Sequence, residues 1–198
     1  MIPKLLHFVC LGNVPKWVDC NVSDWCAAQP DHFVRMHHDA RLLLPEFREM
    51  FEACECIGDQ AELLQYSILQ HSILQQVGGW MLHCDTAPQY PGCLDKLAEE
   101  HPITTELLVQ GGRTKYPDVW CMAATPECTA WPEINHILPG QKTSDHKIAR
   151  YGAKMLRAIH HNRPELLHLA HVGEHIIHEF RDGWREPPII TGEGADDD

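Results

Sequence analysis

A helix-length run over residues 60–77 stops at Gly78-Gly79, and a short apolar segment, Trp80-Met81-Leu82, leads into His83-Cys84-Asp85. Paired glycines end a helix because only glycine enters the left-handed region at no steric cost. Three apolar residues without alternation predict a strand buried on both faces. A helix feeding such a strand is half of a β-α-β unit, which restricts the chain to α/β folds with a largely parallel sheet. A carboxylate just past the strand end stands where such sheets hold a metal and a phosphate-bearing ligand.

The rest of the chain fits the same class. Leu5–Leu11, between Pro3 and Gly12-Asn13, predicts a buried strand. Trp17–Ala28 predicts a helix ending near Pro30, and His32–Met36 a second strand. Asp39 is placed to cap a helix running past Pro45 toward Cys54. Asp59 and Glu62 form a capping box for the helix Gln60–Val77. Ile103–Val109 and Val119–Ala124 read as further strands. Thr143 or Ser144 caps a helix with the apolar stripe Ile148, Tyr151, Met155, Leu156 and Ile159. Pro164 is expected to start a last helix reaching about Arg181. Residues 1–198 form one domain in this reading, with no internal repeat and no long linker.

Composition weighs against several classes. The net charge of −12 disfavours nucleic acid or an anionic membrane as a partner. No apolar stretch is long enough to span a bilayer. Nine cysteines, an odd number with no C-x-x-C pair, together with the absence of a secretory h-region, point to free thiols and a reducing cytoplasm.

Two blocks carry a resemblance. Ile2-Pro3-Lys4-Leu5-Leu6-His7-Phe8-Val9-Cys10-Leu11-Gly12 is similar to the I-P-K-I-I-H-x-[IV]-W-[IL]-G opening of DXD-motif glycosyltransferases, and Gly78-Gly79-Trp80-Met81-Leu82-His83-Cys84-Asp85 resembles their G-G-x-Y-L-D-x-D. This is the group of capsular and outer-chain sugar transferases and, distantly, the glucosylating domains of clostridial toxins. The resemblance covers roughly residues 1–95, with an echo at Thr191-Gly192. It implies a GT-A-like (Rossmann-like) α/β fold: a mostly parallel sheet flanked by helices, with a helical C-terminal part. It further implies a UDP- or GDP-sugar donor, a divalent metal (manganese, with magnesium as the other option) and retention at the anomeric carbon.

Carried over residue by residue, the resemblance makes Asp85 the catalytic carboxylate and metal ligand, with His83 beside it where the family has its first aspartate. Ser67 and Gln70 take the place of the family's aspartate and arginine, Met81 of its tyrosine and Cys10 of its tryptophan. Val9, Cys10 and Leu11 would then line the base pocket. Ser67, Gln70, Met81, Leu82, His83 and Cys84 would face the donor. Asp196, Asp197 and Asp198 could restore metal charge by folding back over the site.

Two other readings stay open at this point. Loss of several charged motif residues suits a degenerate module that binds a nucleotide sugar without transferring it. His171-Val172-Gly173-Glu174-His175 is an H-x-x-E-H string, which on a helix would place two histidines for zinc and Glu174 as base of a hydrolase. On that helix His168, His171, His175 and His178 share a polar arc, so the competing interpretation is a solvated histidine face.

Overall fold

The structure, a computed structural model, describes residues 1–39, 48–54, 56–58, 60–61, 63–64, 74–111, 117–131 and 149–179. Five helices and eight strands are defined there: β1 (Leu5–Val9), α1 (Lys16–Ala28), β2 (Phe33–His37), α2 (Arg48–Glu52), α3 (Leu74–Val77), β3 (Gly79–Leu82), β4 (Thr86–Pro88), α4 (Cys93–Glu100), β5 (Leu107–Gly111), β6 (Pro117–Ala124), α5 (Ala149–Asn162), β7 (Leu167–Ala170) and β8 (Ile176–His178). The main sheet has the order β2-β1-β3-β6-β5-β7. Pairs β1–β2, β1–β3 and β5–β7 are parallel, whereas β6 runs antiparallel to both β3 and β5.

Alternation along the strands decides the two layers. Leu6 and Phe8 of β1, Trp80 and Leu82 of β3, and Cys121 and Ala123 of β6 all face one core, which also takes Trp25 from α1 and Leu94 and Leu97 from α4. Their neighbours Val9, Met81, Met122 and Ala124 face the other core, with Phe51, Leu156 and Ile159. Because side chains point to opposite faces every residue, unbroken apolar runs are what a sheet covered on both sides requires.

The double glycine is dictated by close packing. Gly78 and Gly79 have φ of +65° and +114°. A Cβ would lie 2.7 Å from the Ala124 carbonyl oxygen at Gly78 and 2.8 Å from the Leu5 carbonyl oxygen at Gly79. The chain therefore enters β3 wedged between β1 and β6, and no side chain fits there.

The helix expected from Pro164 is not formed. Pro164–Leu166 makes one 3-10 turn, and β7 and β8 follow. The apolar spacing of Leu169, Val172 and Ile176 also suits strands joined by a turn. Gly173 and the β-branched Val172, Ile176 and Ile177 disfavour a helix, and β7 instead finds a parallel partner in β5. The H-x-x-E-H string thus lies in a turn rather than on a helix. The four-histidine polar arc it was assigned to does not exist, and the zinc-hydrolase reading falls with it.

Candidate metal and donor site

β1 and β3 run parallel, so their C-terminal ends open on the same side of the sheet. The turn after β3 holds His83, Cys84 and Asp85 at that end. It is tied down on all sides by the backbone. The His83 N–H donates to the Trp120 carbonyl at 3.0 Å, and the Thr86 N–H and hydroxyl both donate to the His83 carbonyl. The Trp25 indole N–H donates to the Thr86 carbonyl at 3.0 Å, and the Asn21 amide to the Cys84 carbonyl at 2.9 Å. Helix α1 thereby fixes the turn from below.

A third side chain arrives from far along the chain. β8 pairs antiparallel with β4, putting His178 opposite Thr86, and the Glu179 N–H donates to the Asp85 carbonyl at 2.9 Å. The His178 ring stacks on Trp120, centroids 5.1 Å apart and planes within 4°. Asp85 Oδ1 then lies 3.1 Å from His178 Nε2 and 3.7 Å from His83 Nδ1. One ligand atom from each of the three residues falls within 4.8 Å of the other two.

Donors about 2.0–2.2 Å from a common metal sit about 3.0–3.5 Å from each other. The Asp85–His178 contact at 3.1 Å falls in that range, and His83, 3.7 Å from Asp85, would move inward to share an ion. Asp85 Oδ1 is buried yet makes no well-aligned hydrogen bond, so it faces the imidazoles as a charge rather than as a paired acceptor. Burial works to raise the Asp85 pKa, but His178 and His83 outweigh it and hold the carboxyl well below the usual carboxylate range. The carboxylate is ionised at any physiological pH.

The other expected site residues divide into three groups. Cys10 and Cys84 meet at the strand ends, Sγ to Sγ 3.0 Å, with Cys84 Sγ also 3.2 Å from the Val9 carbonyl oxygen. The Cys10 contact and burial both push the Cys84 thiol up. Val9, Leu11, Met81 and Leu82 put their side chains into the two cores. Ser67, Gln70, Thr191-Gly192 and the acids Asp196–Asp198 lie outside the described residues.

His178 was missed from sequence. The residues between Asp85 and β8 give it no local signal, and only the β4–β8 pairing brings it in. The remaining histidines of the string do other work. The buried His175 bridges Tyr90 and Glu100, with Nδ1 2.5 Å from the Tyr90 hydroxyl and Nε2 2.9 Å from Glu100 Oε2. His168 Nε2 pairs with His101 Nδ1 at 3.1 Å. His7, the family-like residue of β1, is buried against the Gly78 carbonyl.

The sequence matches no protein-family model and no curated protein. Solved structures do resemble the fold. The PaToxG glycosyltransferase superposes with a TM-score of 0.56 at 11% identity, over 82% of this chain and 70% of that one. The glycosyltransferase GlyE of Streptococcus pneumoniae TIGR4, an apo-form crystal structure, gives a TM-score of 0.56 at 9% identity, over 88% of this chain. This chain spans 46% of the GlyE chain. The fold is therefore a glycosyltransferase-like α/β fold.

Proposed function

We propose that this chain is a glycosyltransferase. It binds a UDP- or GDP-sugar through a divalent cation held by Asp85, His83 and His178, and transfers the sugar with retention at the anomeric carbon. The observation that carries this reading is the convergence of those three side chains at the carboxyl end of β3, in a fold whose solved neighbours are glycosyltransferases. A bound dication supplies positive charge against the diphosphate as the glycosidic bond breaks.

The chain's own residues have separate tasks. Asp85 stays ionised and provides the site's negative charge. His83 and His178 each offer a ring nitrogen. Trp120 fixes the plane of His178 by stacking, and Asn21 and Trp25 hold the turn that carries His83 and Asp85. The backbone at Val9–Leu11 and the Cys84 segment edge the donor site. Met81, expected from the resemblance at the donor sugar, has its side chain buried in a core instead. Ser67 and Gln70, the other expected sugar or ribose contacts, lie outside the described residues. The leaving phosphate serves as base for the acceptor hydroxyl in this reading. Manganese is the first choice of ion. Residues 1–198 act as one domain.

The test is donor hydrolysis with a panel of UDP- and GDP-sugars and Mn2+. Wild-type protein should release the nucleoside diphosphate from at least one donor, and Asp85→Asn should abolish that release. Turnover unchanged in Asp85→Asn would overturn the reading. One observation favours a second reading: the ligand group has a single carboxylate where a D-x-D motif has two. Donor binding without turnover would mark a module that holds nucleotide sugar without transferring it.

A further inference from the structure

The β1–β3 register pairs Leu6 with Trp80 and His7 with Met81. Past the ends of these strands, Cys10 follows β1 directly and Cys84 lies in the turn after β3. The two sulfurs already touch at 3.0 Å. Bridging them therefore requires side-chain rotation and no rearrangement of either strand. Cys10 is fully buried and Cys84 is partly exposed, so a small reagent reaches Cys84 first. Cys84 also sits between His83 and Asp85, within the turn that carries both.

We propose that Cys10 and Cys84 are a thiol–disulfide exchange site: a small-molecule disulfide oxidises them to a cross-strand bridge that staples the ligand-bearing turn to β1. Cys84 Sγ gives up its proton as it attacks the small disulfide, forming the mixed disulfide and expelling one thiolate, which takes up that proton. Cys10 Sγ then attacks Cys84 Sγ and expels the second thiolate, which takes up the proton of Cys10. Two protein thiols and one small disulfide become one protein disulfide and two small thiols. The bridge closes a loop of more than seventy residues and restricts the unfolded chain. It also removes freedom from the turn on which two of the three ligand atoms depend.

The consequence for the cation rests on the metal reading above; the bridge itself does not. Linkage makes the coupling reciprocal, so a turn held by the bridge binds cation more tightly and bound cation favours the bridge.

The experiment uses the full chain, reduced and then equilibrated with oxidised glutathione. Free thiols are trapped with a maleimide, and the peptides are mapped without reductant. The expected result is one linkage, Cys10 to Cys84, with the chain lighter by two hydrogens and the other cysteines alkylated. Cys84→Ser and Cys10→Ala should each abolish the linkage. The midpoint of thermal unfolding should rise on the order of 10 °C on oxidation. Linkage through other cysteines, or both thiols still alkylated after oxidation, would overturn the proposal. Mn2+ titrated into both forms should bind the oxidised chain about threefold to tenfold more tightly. Equal affinities would overturn the coupling and leave the bridge standing, whereas no Mn2+ binding to either form would overturn the metal reading alone.

Discussion

Asp85, His83 and His178 each need the other two. In the proposed cation site Asp85 supplies the negative charge, and without it two imidazole rings would hold a cation weakly. Asp85→Asn should therefore lower Mn2+ affinity by at least about tenfold in calorimetric titration. His7 makes a different kind of prediction. Its Nε2–H donates to the Gly78 carbonyl at 3.2 Å, leaving Nδ1 to accept from His37 Nε2 at 3.2 Å. Burial lowers its pKa to about 4. The unfolded chain takes a proton near pH 6.5 and the folded chain does not until about pH 4. Stability from His7 is thus complete above pH 6.5 and lost as pH falls toward 4, by about 3 kcal/mol in all. Urea unfolding across that range should show the loss, and His7→Gln should flatten it. A wild-type curve with no slope between pH 6.5 and 4 would contradict the assignment.

At the level of elements, the sharpest demand falls on the helix stop and the strand after it. Gly79→Ala would set a Cβ 2.8 Å from the Leu5 carbonyl oxygen at a φ of +114°. The expected cost is about 2–4 kcal/mol of stability, read by chemical unfolding. An unchanged midpoint would mean that β3 does not enter between β1 and β6 as described. These elements were legible because their signals are local: paired glycines, Pro3 ahead of β1, and unbroken apolar runs in β1 and β3. The end of the chain was not. Leu169, Val172 and Ile176 satisfy helical spacing and also fit two short strands joined at Gly173. The choice between them was made by β5 offering its edge to β7 and by β4 pairing with β8. Such partners lie far away in sequence and leave no mark on the segment itself. For the same reason the sequence places Asp85 and His83 together in the turn after β3, whereas nothing in it brings His178 beside them.

Across the whole molecule, the proposed function requires a chain of net charge −12 to accept an anionic donor at one end of its sheet. The proposed cation would offset that repulsion locally, and the ligand set would decide which ion does so. Two imidazoles with one carboxylate suit manganese, cobalt or zinc better than magnesium, which prefers oxygen and gives up water reluctantly. Millimolar Mg2+ should therefore fail to displace Mn2+ from the protein. Saturating Mn2+ should raise the thermal midpoint by several degrees, and a chelator should reverse the rise.

The central claim is that residues 83, 85 and 178 make one cation site although β8 lies far from β3 in sequence. Titration of Mn2+ into wild-type protein, Asp85→Asn and His178→Ala, followed by the loss of the free-ion paramagnetic resonance signal, tests it most directly. One site in the wild type, weakened at least about tenfold in both variants, is the predicted outcome. Wild-type affinity retained in His178→Ala would contradict it.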